Sequence, residues 1–151
     1  MREKKSIRAR APRASSPTVR YVMQRNTGHE TGPEIILRNA LRRLGVRFRK
    51  DTGPIADLKI TADIVFPNQK VCVFIDGCFW HGCPRHFKTP KTHSKWWREK
   101  IGDNKKRDTR QGRKLRKLGW VVIRYWEHEI GSRALPKVCS QIKRVVKIRG
   151  S

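Results

Sequence analysis

Asp63 stands in the middle of an apolar run, Ala62 to Phe66, where a carboxylate is costly to bury unless a cation compensates it. That cation is a metal or an arginine; the alternatives are a solvent-facing side chain or a structural ion pair. The next apolar run, Val71 to Ile75, ends at Asp76, and Pro67-Asn68 between the two runs signals a turn. In a hairpin with Phe66 facing Val71, Asp63 faces Phe74, and the end of the second strand lies beside it. Neighbouring strand ends that offer the Asp63 carboxylate and the Ile75 carbonyl, with Asp76 next to them, make a reasonable Mg²⁺ site. His81 follows a few residues later. A histidine titrates near neutrality and can deprotonate a water that attacks a phosphate, but position alone leaves surface and zinc-bound roles open.

Two further carboxylates matter through helical phase. Trp97, Ile101, Asn104, Asp108, Leu115 and Leu118 share roughly one face of a long helix, so Asp108 needs a partner there. An arginine or lysine would suffice; a hydrated metal or His81 is the functional alternative. Glu34 has the spacing of a capping-box member with Thr31 and is held rigidly in a first turn either way. Cys78-x4-Cys83-x2-His86 supplies three soft or borderline ligands in nine residues, and His128 could close a tetrahedral site. The spacing is not that of a zinc finger, and buried free thiols stay equally open. Cys72 and Cys139 are expected in the core.

Lys and Arg number 37 against 12 Asp and Glu in 151 residues, a formal charge of +25, and such an excess calls for a polyanion. Phe79, Trp80, Trp96 and Trp97 stand among these charges, and such rings stack on bases or wedge between base pairs. Trp120 and Trp126, in a strand, are expected in the core. Thirteen basic residues from Lys88 to Lys117, Lys100 and Lys105 among them, form a candidate phosphate-binding ridge. A solvated surface and a ribosomal-type RNA binder are the competing readings. No run of about 18 apolar residues exists, which excludes a transmembrane helix of that kind. The basic first residues lack an apolar h-region, so a cytoplasmic, monomeric protein is expected, in which close cysteines hold metal more often than they pair.

The elements that must position these groups follow in order. Residues 1–20 read as a disordered basic arm, and 21–151 as one domain. A helix is expected from Gly32 to Leu44 with Leu37, Ala40, Leu41 and Leu44 buried. Strands are expected at Val46–Lys50, Lys59–Phe66 and Lys70–Asp76, the last a central strand covered on both faces. A long basic helix, Ser94–Leu118, then a buried strand WVVIRYW and a final amphipathic helix carrying Leu135, Val138, Ile142 and Val145 complete the chain. The order α-β-β-β-α-β-α predicts an α/β fold, a mixed sheet flanked by helices.

From Met23 to His128 the chain resembles the very-short-patch repair (Vsr) mismatch endonucleases, members of the restriction-endonuclease-like superfamily. The resemblance rests on Met23, on Glu34 in a first helix, and on ADIVF, FIDGCFWHGCPRHF, WWREKIGDNKKRD and LGWVVIRYWEHE, in that order. It implies a three-layer α/β/α domain with catalytic Glu34, Asp63, His81 and Asp108. Mg²⁺ would be held by Asp63 and the Ile75 carbonyl, and the DNA-wedging aromatics would be Phe79, Trp80 and Trp97. Structural Zn²⁺ would take Cys78, Cys83 and, as a fourth ligand, His128, where a Cys is common. Two positions depart from the best-known type: Asp76 stands where that type has a His, and Arg85 occupies a zinc-ligand position, with His86 as its substitute. The implied reaction is Mg²⁺-dependent nicking of double-stranded DNA beside a T·G mismatch left by deamination of 5-methylcytosine. A homing or phage nicking endonuclease with no mismatch requirement, and a non-catalytic nucleic-acid-binding zinc protein, are the alternatives.

Overall fold

The computed structural model describes residues 11–14, 16–17, 20 and 30–151. Most of the basic arm expected over residues 1–20 lies outside the described residues, as does Met23. Helix α1 spans Gly32–Arg43, and strands β1, β2 and β3 span Arg49–Thr52, Ala62–Phe66 and Val71–Asp76. Helix α2 runs Ser94–Lys117, strand β4 Val121–Trp126, a 3₁₀ turn Glu127–Ile130, and helix α3 Leu135–Gly150.

The four strands form one mixed sheet in the order β1-β2-β3-β4. β2 pairs antiparallel with both β1 and β3, and β4 returns parallel to β3 after the α2 crossover. The tip of the β2–β3 hairpin holds Lys70 at φ +52°, and the Lys70 amide donates to the Pro67 carbonyl at 3.2 Å. Every residue of β3 is buried, as its unbroken apolar run requires of a strand covered on both faces. On one side Leu37 and Leu41 of α1 and Val138, Cys139 and Ile142 of α3 pack against Ile64, Phe66, Val71, Val73 and Ile75. On the other, Leu115 of α2 and Trp120 cover Ala62, Val65, Cys72 and Phe74. This is the mixed sheet flanked by helices expected from the order of elements, in the three layers that the resemblance implied.

The sequence reading differs from the structure at element ends, for local reasons. Gly45 adopts φ +72° and the Val46 amide returns to the Leu41 carbonyl, a helix stop of the kind glycine favours. Leu44 is thereby turned outward and is 49% exposed, against the expected buried stripe. Val46 and Phe48 leave the helix packed against the core instead of pairing, so β1 starts only at Arg49. β2 is shorter than expected because residues 58–60 turn, with the Leu58 amide bonded to Ile55 and that of Ile60 to Leu58. Leu118 caps α2 and is exposed. β4, expected to be buried, is half-buried because it is an edge strand, and Trp126 shares that exposure while Trp120 is buried.

These differences separate two leucines of one helix. Leu37→Ala, at a fully buried position, is expected to cost about 2–5 kcal/mol in urea unfolding, whereas Leu44→Ala should change stability by less than about 0.5 kcal/mol.

Candidate functional site

The site begins with a strand register. Lys50 pairs with Ile64 and Thr52 with Ala62, which sets Asp51 beside Asp63. Glu34 reaches the same spot from the first turn of α1, and one carboxylate oxygen from each of Glu34, Asp51 and Asp63 lies within 4.8 Å of the others. Glu34 is 3% exposed. It does not complete the expected capping box: the Thr31 hydroxyl donates to Glu34 Oε1 at 3.0 Å, and no side chain caps the helix backbone. The Phe66–Val71 pairing is the expected one, and across it the Ile75 amide donates to Asp63 Oδ2 at 2.6 Å. Burial pushes the Asp63 carboxyl up to about 6, with Glu34 and Asp51 adding to the rise and the Ile75 amide and Arg38 opposing it. Among the described residues Glu34 Oε2 is buried without a hydrogen bond. An all-oxygen donor set with an unsatisfied buried oxygen and a carboxyl that resists ionisation suits a hard divalent cation. Asp51 was missed from the sequence because the strand was read to end at Lys50; its signal is visible only once β1 is registered on β2.

A second cluster sits past the end of β3. His81 is carried on a tight turn, its amide bonded to the Gly77 carbonyl, and its Nδ1 lies 2.5 Å from Asp108 Oδ2. His81 is thus the partner that the apolar phase of Asp108 demanded. Burial alone would raise the Asp108 carboxyl, but the hydrogen bond and charge of His81, with Arg124 and Arg107, bring it below the usual range. Asp76 is not drawn into the carboxylate cluster. Arg124 grips it in a two-pronged pair, Nε to Oδ2 and Nη2 to Oδ1, both at 2.8 Å, and Asp76 Oδ1 is 3.7 Å from His81 Nδ1. The guanidinium of Arg124 also lies over the Phe74 ring, 4.6 Å from its centre.

Cys78, Cys83, His86 and His128 come together with one ligand atom each inside 4.8 Å. Cys78 Sγ is 3.1 Å from His128 Nδ1 and 3.8 Å from His86 Nδ1, and Cys83 Sγ is 3.7 and 3.8 Å from His86 and His128. A tetrahedral zinc with its usual bond lengths would set S···N edges of about 3.6 Å, so the four groups fit such an ion and could bind zinc. Burial pushes the Cys78 thiol up to about 11, with the neighbouring Cys83 and Glu127 contributing to the rise; a cation at the centre would reverse that. The Cys78 amide donates to Glu127 Oε1 at 2.7 Å, which ties the loop to the 3₁₀ turn that carries His128. All four cysteines are free thiols, and Cys72 and Cys139 are buried as expected.

A cleft of about 420 Å³ is lined by Glu34, Ile75, Phe79, Trp80, His81 and Lys100, among others. Phe79 and Trp80 meet edge to face at 5.2 Å and are half-buried. Trp97 is only 5% exposed and packs 5.1 Å from Phe79 and 5.8 Å from Trp80. It therefore supports the other two rings from below. Asn104 fixes the loop by donating to the Trp80 carbonyl at 2.9 Å. Gly82, at φ +64°, lets Ile101 and the Lys105 stem lie against the loop backbone, where a Cβ would overlap both.

Residues 15–86 match the family described as DNA mismatch endonuclease Vsr. The Type II nicking enzyme V.NaeI of Lentzea aerocolonigenes is 48% identical over 109 residues, 71% of this chain and 66% of that one. The Type II nicking enzyme V.XorIIP of Xanthomonas oryzae is 39% identical over 120 residues, 78% of this chain and 85% of its own. The DNA mismatch endonuclease Vsr of Escherichia coli is 37% identical over 99 residues, 65% of this chain and 62% of its own. Similarity is thus greater to the two proteins named for nicking than to the one named for mismatches.

A buried carboxyl raised from 3.8 to about 6 opposes folding once it must ionise. Its cost is absent below about pH 4, builds as pH rises through that interval, and is full above it. Asp63→Asn, which keeps an acceptor for the Ile75 amide, is expected to melt a few degrees higher than wild type at pH 8 without Mg²⁺. The difference should vanish near pH 4, and equal melting curves at pH 8 would count against the strained carboxylate.

Proposed function

The chain belongs to the Vsr DNA mismatch endonuclease family, and from that premise we propose that it nicks one strand of duplex DNA by Mg²⁺-dependent hydrolysis. The observation that carries this reading is the convergence of two clusters at the ends of β2 and β3. The Glu34–Asp51–Asp63 carboxylates and the Asp108–His81 pair meet at a cleft that Glu34, Ile75 and His81 share with Phe79, Trp80 and Lys100.

Asp63 and the Ile75 carbonyl would hold the cation with Glu34 and Asp51 around it, and a Mg²⁺ bound there would supply positive charge to the reacting phosphate. Asp108 takes the Nδ1 proton side of His81, which leaves Nε2 to accept a proton from the attacking water. Asp76, neutralised by Arg124, braces the turn without touching the cation. Lys100 and Lys105 pair with phosphates, and most of the affinity comes from the basic surface of α2.

Relatives named as Type II nicking enzymes favour the reading of a nicking endonuclease with no mismatch requirement. A second reading, cleavage beside a T·G mismatch, draws on the family's description and on the half-buried pair Phe79 and Trp80. Wedging these rings into a stack costs a few kcal/mol, and less at a mispaired step. Duplexes of one sequence carrying T·G, T·A or C·G are the test. Nicking of all three at comparable rates supports the site-specific reading, and a T·G rate at least about a hundredfold above the matched rates supports the mismatch reading. Asp63→Ala is expected to lose cleavage of every substrate by a thousandfold or so while DNA binding and its salt slope persist. Near wild-type nicking by that variant would remove Asp63 from the centre.

Cys78, Cys83, His86 and His128 would hold Zn²⁺ in this reading, and four protein ligands would leave no open position for chemistry. Purified protein is expected to carry one zinc that survives mild chelation, while nicking still requires added Mg²⁺. Cys83→Ser should lower Tm far more than it changes the Mg²⁺ requirement; well-folded protein without zinc on elemental analysis would overturn the assignment.

A further inference from the structure

Of the cations that line the cleft, Arg107 is set apart by how it is held. Lys100, Asn104 and Arg107 fall at i, i+4 and i+7 on α2, and all three line the cleft with His81. The Arg107 side chain is 48% exposed, yet its Nη2 donates to Asp108 Oδ1 at 3.3 Å. Adjacent residues of a helix do not face each other, so the arginine bends across to reach this carboxylate. The other oxygen of Asp108, Oδ2, lies 2.5 Å from His81 Nδ1. Arg124 approaches Oδ1 from the sheet, its Nη2 3.8 Å away. One carboxylate thus fixes a histidine and a guanidinium at the same cleft. Among the described residues the remaining N–H groups of Arg107 make no hydrogen bond, and Lys100 has no such anchor.

We propose that Arg107 is a catalytic residue whose free N–H groups grip the phosphate that is cut; the proposal rests on the nicking reading above. A guanidinium presents its donors in a planar fork that matches two phosphate oxygens at once. In the hydrolysis a water oxygen bonds to phosphorus while its proton passes to His81 Nε2, which later releases it to solvent. The bond from phosphorus to one ester oxygen breaks, and that oxygen takes a proton from solvent. Between these events negative charge grows on the non-bridging oxygens. A donor already fixed in place stabilises that charge without having to reorient. Asp108 fixes Arg107 in this way, whereas an unanchored lysine must first be ordered, at a cost in side-chain entropy. The ion pair with Asp108 at a half-exposed site adds little to stability, so a role in the fold does not account for the placement.

The test uses the full chain as purified and, of the duplexes above, the one that it nicks fastest. Single-turnover rates at saturating enzyme separate the chemical step from binding. Arg107→Gln keeps an amide donor for Asp108 but no charge. It is expected to slow the saturating rate about a hundredfold while half-saturation shifts by less than about threefold. Arg107→Lys restores charge without the fork and should regain about tenfold of that loss. Arg144→Gln removes the same charge from an exposed site on α3 and should leave the saturating rate within about twofold of wild type. The nick is then mapped, and the linkage at that position is replaced by a neutral methylphosphonate. Without Mg²⁺, wild type is expected to bind this duplex about tenfold more weakly than the ordinary one, and Arg107→Gln to bind the two within about threefold of each other. Arg107→Gln nicking at the wild-type rate overturns the proposal. So does a slowed Arg107→Gln that keeps the full methylphosphonate penalty, which makes Arg107 a support for Asp108 alone. A wild type that nicks none of the duplexes overturns the nicking reading, and the proposal with it.

Discussion

The hydrogen bond from the Ile75 amide to the Asp63 carboxylate joins the start of β2 to the end of β3. It is possible only in the register that sets Phe66 against Val71. A slip of one residue would turn the whole apolar set of β2 to the wrong face and carry Asp63 away from Glu34 and Asp51. The packing of Ile64 and Phe66 against α1 and α3 on one side, and of Val65 against α2 on the other, therefore does more than bury area. It selects the register on which the carboxylate cluster depends. The same interior makes Asp63 hard to ionise, so the core creates the demand for positive charge that Arg38 meets in part.

Around this centre the chain uses positive charge in two ways. Most of the Lys and Arg among the described residues lie at the surface, as along α2, where such charge acts on a polyanion at long range. Arg38 and Arg124 instead lie inward, each matched to a carboxylate by two or more short contacts. Arg124 holds Asp76 beside the His81–Asp108 pair and away from the Glu34 cluster. The two clusters thus stay distinct though they stand within two strand ends of each other.

Much of this could be read from residue types alone. The buried run Val71 to Ile75 announced a strand with both faces covered, Pro67-Asn68 announced the hairpin, and the hairpin register put Asp63 opposite Phe74. The phase of Asp108 on α2 required a partner, and His81 is that partner. Cys78, Cys83, His86 and His128 converge although their spacing belongs to no familiar finger. What eluded the sequence depends on how chain ends turn. Asp51 enters the cluster only because β1 begins three residues later than its apolar pattern suggests, after Val46 and Phe48 are spent on the core. Glu34 read both as a cap and as a site acid, and only its burial at the cluster, with no cap bond to the helix backbone, separates the two. Trp97 was placed both on the apolar face of the long helix and among the wedging rings, and it is buried against Phe79 and Trp80. Arg38 and Arg124 carried no signal of their own in a chain so rich in Lys and Arg, since nothing local distinguishes an arginine that folds inward.

The parallel pairing of β3 with β4 has a consequence for the order of events on the ribosome. His128 and Glu127 reach Cys78 across about fifty residues, and Arg124 reaches Asp76 across a similar span. The hairpin that bears Asp63 and Ile75 leaves the exit tunnel well before them, at several residues per second. Until α2 has formed and β4 has docked, the loop with His81 has neither its tether nor its brace. A nascent chain therefore emerges with Glu34, Asp51 and Asp63 ahead of the groups that tether and brace His81, and this highly basic protein assembles its second cluster only after the residues through His128 have followed.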